Sequence, residues 1–183
     1  PKQMDVFINL IALYASDKQF DFAVKRCDSQ LKLFNDNPAA QSVLFNLKGN
    51  LWLAAGKKEY AETQFKKAIE KNPKSAVPYL ALAKIYTSEK QTEKAIETYK
   101  MLIENRHDQP AAHTLLGAIY ESQKEYALSE DHYSKALEIN SGYVPALNNL
   151  AYLNAAQNRE LNKALDLARN AKERASNSPA VID

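Results

Sequence analysis

The sequence predicts an all-α protein that is built from repeated pairs of helices. Glycine is scarce, with four residues among 183, and apolar residues recur at helical spacing along most of the chain. Three classes of position also recur every 34 residues. Their members are Ala61, Ala95 and Ser129, then Trp52, Tyr86 and Tyr120, and then Phe65, Tyr99 and Tyr133. One supersecondary unit therefore occurs several times along the chain.

Breaks in the helical pattern divide the chain into about ten helices of ordinary length, arranged in pairs. The strong breaks fall near Pro38, Pro73, residues 107–110 and residues 141–142. Weaker turns lie between them near Asp17, Gly56, Lys90, Lys124 and Asn158. Each weaker turn is expected to join the two helices of one unit.

Five units result, at approximately residues 4–37, 42–75, 76–109, 110–143 and 144–178. A four-residue extension precedes the second unit, and the fifth contains one extra residue. We treat residues 1–183 as one domain. Residues 179–183 stand where the first helix of a sixth repeat should begin, and the sequence there supplies no polar cap, which a repeat array generally needs. We therefore expect these residues to begin a further, truncated repeat. The chain is accordingly expected to be a fragment of a longer array.

The units carry the residue pattern of a known repeat. The second unit has Phe45, Gly49, Trp52, Ala61, Phe65, Ala68 and Pro73, and the fourth has Leu116, Gly117, Tyr120, Ser129, Tyr133 and Ala136. In this the sequence resembles the tetratricopeptide repeat family. The third unit departs from the pattern at Leu102 and His107, and the fifth at Asn154 and Ala168. The resemblance implies a right-handed superhelical solenoid of about five helix-turn-helix repeats.

Small residues are expected where the two helices of a unit cross. Close packing of antiparallel helices requires one side to be small. We therefore expect Gly49 and Gly117 on first helices to face Ala61 and Ser129 on second helices, with aromatic side chains filling the space on either side.

A search for reactive residues favours a non-catalytic protein. His107 and His113 are six residues apart, a step that does not place two ligands on one helix face. Cys27 occupies a position that is aromatic in the sister units, which is typical of a small core residue. No glycine-rich phosphate loop is present. We expect no enzyme activity, no cofactor and no metal.

Charge gives no sign of nucleic acid or of a membrane segment. The net charge is +2, and the chain has no apolar run long enough to span a bilayer. The lysines of the second unit, Lys57, Lys58, Lys66, Lys67, Lys71 and Lys74, alternate with glutamates. This alternation is typical of a solvated outer face. We expect no nucleic-acid partner.

The resemblance implies that one stripe of each first helix lines a concave groove. The expected contacts on this stripe are Asn46, Asn50, Leu53, Leu80, Lys84, Thr87, Glu121, Asn148 and Tyr152. An asparagine amide both donates and accepts, so it can pair with a peptide group while leucines contact side chains. The partner is expected to be a protein or peptide. Lys84 is the only cation of the stripe, which disfavours the carboxylate clamp of chaperone-binding family members.

Residues 143–173 are also similar to later repeats of bacterial envelope tetratricopeptide proteins, including lipoproteins associated with PEP-CTERM sorting and exopolysaccharide export. That similarity implies a periplasmic scaffold for secretion or polymer export, although composition and spacing leave periplasm and cytoplasm both open. Two functions remain. One is a scaffold that holds a peptide or partner segment in the groove. The other is a self-assembly module whose repeats stack end to end into a homo-oligomer.

Overall fold

The computed structural model describes residues 2–106 and 108–177, and within them it contains ten α-helices and no strand. The helices are α1 Lys2–Ser16, α2 Phe20–Leu33, α3 Pro38–Ala54, α4 Lys58–Lys71, α5 Ala76–Ser88, α6 Thr92–Asn105, α7 Pro110–Ser122, α8 Tyr126–Ile139, α9 Val144–Ala156 and α10 Leu161–Asn177. The all-α helical-repeat fold is thereby confirmed. His107 and the proposed truncated repeat at 179–183 lie outside the described residues.

The helices form two compact units, residues 1–98 and 99–183, whose boundary falls within α6. In the first unit, α3 packs on α2 and α4, α4 packs on α5, and α1 contacts both α2 and α3. In the second unit, α7 packs on α8, α9 packs on α8 and α10, and α7 also contacts α9. Helices therefore pack on their sequence neighbours, and first helices of successive repeats lie side by side.

Each unit has its own apolar core. In the first, Phe7 and Ile11 of α1, Ala23, Val24 and Cys27 of α2, and Leu44 and Leu51 of α3 form one buried cluster. In the second, Tyr133 of α8 packs with Leu150 and Leu153 of α9. Each cluster joins the second helix of one repeat to the first helix of the next. Buried side chains from two successive repeats thus fix the distance between those repeats.

The turn inside each repeat has one backbone geometry. Its central residue has positive φ in all five repeats: Lys18 (58°), Gly56 (75°), Lys90 (58°), Lys124 (63°) and Asn158 (50°). The next residue donates its backbone N–H to a carbonyl near the helix end, as Lys57 does to Trp52 over 2.8 Å and Gln91 does to Tyr86 over 2.8 Å. This left-handed ending is the Schellman motif.

The glycines of α3 and α7 lie against aromatic rings. A Cβ atom built on Gly49 would lie 2.5 Å from Phe65 Cε1, and one built on Gly117 would lie 2.5 Å from Tyr133 Cε1. The close approach therefore involves the aromatic residue of the second helix, and not chiefly the small residue four positions earlier as the spacing suggested. Only glycine leaves room for these rings.

Candidate functional site

An apolar depression lies between the first helices α1 and α3 of the first unit. It has a volume of about 280 Å³ and is lined by Ile8, Ile11, Ala12, Ala15, Leu47, Asn50, Leu51 and Ala54. Asn50 is its only polar lining residue, and its side chain is exposed. A depression of this kind can take an apolar side chain while the amide at its edge pairs with a polar group.

Two other α3 residues that were predicted as groove contacts are adjacent in sequence to Leu47 and Ala54, which line this depression. Asn46 and Leu53 are both half-buried. The Oδ1 atom of Asn46 is buried, and among the described residues it has no hydrogen-bond partner. A buried acceptor without a partner destabilises a protein. Of the predicted α3 residues, Asn46 is thus the one with a buried polar atom that has no hydrogen-bond partner among the described residues.

The three predicted residues of α5 differ in their surroundings. Lys84 is exposed, and Leu80 is half-buried. Thr87 is exposed, but its hydroxyl donates to the carbonyl of Ala83 in the same helix over 2.9 Å. Lys84 is therefore the most accessible of the three for a charged or polar partner.

Glu121 of α7 makes a structural hydrogen bond inside its own repeat. Its Oε2 accepts from the Tyr133 hydroxyl over 2.7 Å. Burial, followed by this bond to a carboxylate, raises the pKa of Tyr133 above its ordinary value. Glu121 therefore orients a core tyrosine, a role that its place on the stripe did not indicate.

Asn148 and Tyr152 of α9 come together at an open cavity of about 460 Å³ beside α10. Its other lining residues are Ala151, Ala155, Leu161, Ala164, Leu165 and Ala168. Tyr152 is 67% exposed and Leu165 is 50% exposed. The sequence analysis predicted the two α9 residues as groove contacts and named no residue of α10. The apolar residues Leu161 and Leu165 were the available signal, because they lie on the same helix face four positions apart.

A histidine pair that sequence reasoning missed lies between α7 and α8. The Nδ1 atoms of His113 and His132 are 3.0 Å apart, and the His132 ring stacks on Tyr120 at a centroid distance of 5.5 Å. Burial lowers the pKa of both rings, and for His132, where the neighbouring His113 also contributes, it falls to about 4. Both imidazoles are therefore neutral near pH 7.

The lysines of the second repeat are largely paired with acidic side chains. Lys66 contacts Glu62 over 2.6 Å and Lys58 contacts Glu89 over 3.4 Å. Partial burial acts to raise the pKa of Glu62, but hydrogen bonds from Lys66 and Tyr86 outweigh it and the net pKa is lowered. Such pairs are typical of a solvated face and leave little unpaired positive charge.

Cys27 is completely buried, and burial raises the pKa of its thiol to about 12. It is therefore a core residue with little thiolate near pH 7. In residues 2–106 and 108–177 no cluster of three or more His, Cys, Asp or Glu side chains has the arrangement of a metal site. Across the same residues, no helix combines the length and apolar character that a bilayer crossing needs.

Comparison with known proteins shows the same repeat. Two family models with the description tetratricopeptide repeat match the chain, one over residues 53–119 and the other over residues 110–143. No curated protein matches it.

Among solved structures, a crystal structure of MamA is 20% identical, with a TM-score of 0.68 over 89% of this chain and 92% of that one. YrrB, described as a TPR protein with an unusual peptide-binding site, is 18% identical, with a TM-score of 0.62 over 94% of this chain and 86% of that one. BtubC from P. vanneervenii is 17% identical, with a TM-score of 0.75 over 94% and 80%. At these identities the likeness shows the fold alone. The two family models and the recurring residue pattern show that the chain belongs to the tetratricopeptide repeat family.

Proposed function

We propose that the chain is a non-catalytic scaffold that binds a peptide or an extended partner segment along the exposed stripe of its first helices. The apolar depression between α1 and α3, with exposed Asn50 at its edge, is the observation that carries this proposal. An extended peptide offers alternating side chains and a regular row of backbone donors and acceptors. The depression suits one apolar side chain, and the Asn50 amide suits the adjoining peptide group.

The other predicted residues extend this surface within each unit. In the first, Lys84 adds an exposed positive charge and Leu80 adds partly buried apolar surface. In the second, exposed Asn148 supplies an amide and Tyr152 supplies an aromatic ring. Tyrosine is a common anchor in protein interfaces because it combines a large ring with a polar end. The preferred partner is therefore an apolar segment that is neutral or acidic.

YrrB, a protein of the same fold, is described as having an unusual peptide-binding site. This gives support by analogy only, since a shared fold does not fix a function. We further propose that the partner belongs to a bacterial secretion or exopolysaccharide-export assembly, because residues 143–173 are similar to envelope proteins of that kind.

The groove is tested with random linear peptides displayed on phage. Peptides selected on the native chain are synthesised, and their Kd is measured by calorimetry against the double variant Asn50→Ala and Lys84→Ala. The matched control removes the same residue types from exposed loop positions, as Asn35→Ala and Lys74→Ala. We expect a loss of about tenfold or more in the groove variant only. Equal affinity for both double variants would reject the groove.

The pathway is tested separately by capture from a bacterial envelope extract. The bait is the native chain, and the control bait combines Asn50→Ala, Lys84→Ala and Asn148→Ala. Enrichment of secretion or polymer-export proteins on the native bait alone is the expected result. Recovery of the same proteins on both baits would remove the support for that pathway.

A further inference from the structure

We propose that the first compact unit has a second binding surface, which takes a proline-rich segment of a partner in the polyproline II conformation. This surface, here called the turn-side row, consists of Phe22, Tyr60 and Lys94. Each is the third residue of a second helix, α2, α4 or α6, and lies close to the turn inside its repeat. The row goes beyond the proposed groove, which is built from first helices.

The position that forms the row is open to solvent in successive repeats. Phe22 is 48% exposed, Tyr60 is 60% exposed, and Lys94 is exposed as well. Tyr60 belongs to a repeat that has another repeat on each side of it in the chain. Packing between repeats therefore leaves this position uncovered.

Both exposed rings are held by an aromatic residue of the first helix of the same repeat. Phe22 packs edge-on against Tyr14 at a centroid distance of 4.8 Å. Tyr60 packs on Trp52 at a centroid distance of 5.4 Å. Aromatic pairs of this kind are attractive beyond the area that they bury. The two rings are thus fixed before a partner arrives, which lowers the entropy cost of binding.

An ion pair and a cavity connect the row from one repeat to the next. Asp21 of α2 pairs with Lys57 of the second repeat over 3.8 Å. An open cavity of about 280 Å³ is lined by residues 56–60, which include Tyr60, and by Glu89 of the third repeat. A partner that lies along the row therefore finds room for a side chain beside Tyr60.

Lys94 gives the row a positive charge at one end. Its Nζ atom lies 5.4 Å from the centroid of the Tyr86 ring. The Glu62 carboxylate accepts from the Tyr86 hydroxyl over 2.8 Å and is already bound by Lys66 over 2.6 Å. Lys94 can therefore attract a carboxylate of a partner. The row offers two aromatic rings followed by a cation.

A polyproline II segment matches this order and spacing. It returns to the same side every three residues and advances about 9 Å per turn, while packed helices of neighbouring repeats lie roughly 8–10 Å apart. Two prolines three residues apart can therefore lie on Phe22 and Tyr60. An acidic residue three positions further along then meets Lys94. The ligand motif is Pro-x-x-Pro-x-x-Glu or its reverse, with Asp equivalent to Glu.

Other classes of partner fit the row less well. An added strand needs a sheet edge, and the described residues form no sheet. An amphipathic helix needs a broad apolar face, but exposed Asp21 and Glu59 directly precede the two rings in sequence. A nucleic acid needs free positive charge beside the rings, but Lys58 pairs with Glu89 over 3.4 Å. Proline-rich segments need only aromatic contacts, because their backbone stays solvated.

The test uses fluorescein-labelled peptides that contain the motif in either chain direction, and fluorescence anisotropy gives their Kd. The control peptide has alanine in place of both prolines. Trp52 is the only tryptophan of the sequence and packs on Tyr60, so its emission provides a second signal with unlabelled peptide. We expect Phe22→Ala and Tyr60→Ala each to weaken binding by about fivefold or more. Leu128→Ala is the matched control, because Leu128 has the same repeat position in the second compact unit and is 46% exposed.

A charge exchange gives the sharper result. Lys94→Glu should weaken binding of the motif peptide and strengthen binding of the same peptide with lysine in place of its glutamate, a reversal that misfolding does not produce. Equal affinity of the native chain for the motif and control peptides would overturn the proposal. So would an equal loss in Leu128→Ala, or an unchanged charge preference in Lys94→Glu. The double variant Asn50→Ala and Lys84→Ala should bind the motif peptide normally, so the row and the groove are tested independently.

Discussion

The Nδ1 atoms of His113 and His132 lie 3.0 Å apart between α7 and α8, so one ring donates its N–H to the unprotonated nitrogen of the other. This arrangement needs at least one Nδ1 to be unprotonated, and protonation of both rings is disfavoured because two positive charges at that distance repel strongly. The charged groups that act on the pair are Lys100 of α6 and Asp131, Lys135 and Glu138 of α8.

Stability is predicted to fall as the pH drops from about 6.5 towards 4. The pKa of both histidines is lowered in the folded protein, so the unfolded chain binds more protons in this range. We expect a loss on the order of 1–3 kcal/mol in the free energy of unfolding. Urea titrations at several pH values measure it. His132→Gln should flatten the dependence, and an unchanged pH profile in that variant would contradict this assignment.

Gly117→Ala is predicted to destabilise the α7–α8 pair by roughly 1–3 kcal/mol. The new methyl group would overlap the ring of Tyr133, which is fully buried. A urea titration gives the loss. In a double-mutant cycle with Tyr133→Leu, the combined loss should be smaller than the sum, since the smaller side chain relieves the overlap. Strictly additive losses would show that the two residues do not compete for space.

Lys90→Gly is predicted to stabilise the protein by about 0.5–1 kcal/mol, because Lys90 has a positive φ that glycine adopts without strain. The converse change at the same turn position is Gly56→Ala. No neighbouring atom lies within 4 Å of the added Cβ, so the expected loss of about 1 kcal/mol comes from the backbone alone. Opposite shifts in Tm are the expected outcome. Shifts of the same sign would contradict it.

Ser42→Ala is predicted to cost about 0.5–1.5 kcal/mol. The Ser42 hydroxyl is buried and donates to the carbonyl of Ala68 over 2.8 Å, which ties α3 to the end of α4. Ser122→Ala is the control, because its exposed hydroxyl bonds only to Ile119 of its own helix. Chemical denaturation compares the two variants. A loss at Ser42 no larger than that at Ser122 would show that the inter-helix bond contributes little.

Much of the fold could be predicted because its signals are local. Pro38 and Pro110 interrupt the helical pattern, and they are the first residues of α3 and α7. The predicted turns at Gly56, Lys90 and Lys124 coincide with the left-handed residues of the structure. The 34-residue period then predicted which helices pair, because each repeat has the same pattern of packing faces on its two helices.

The features that were missed depend on how two helices are rotated against each other. His113 and His132 are 19 residues apart on separate helices, so their sequence spacing alone does not show the contact. The same holds for the bond from Tyr133 to Glu121, a residue that the stripe placed towards a ligand. The residue pattern assigns positions to a face, but only packing decides whether a polar side chain on that face turns inward or outward.

The five turns inside the repeats have a consequence for divergence. Their left-handed residues are lysine three times, asparagine once and glycine once, and the four non-glycine side chains are exposed. The backbone bonds of the Schellman motif fix the geometry, so the identity of this residue is weakly constrained. A duplicated repeat can therefore change its turn residue at small cost while its helices keep their crossing. In this chain the turn geometry is the same in all five repeats, whereas the residue at its left-handed position is not.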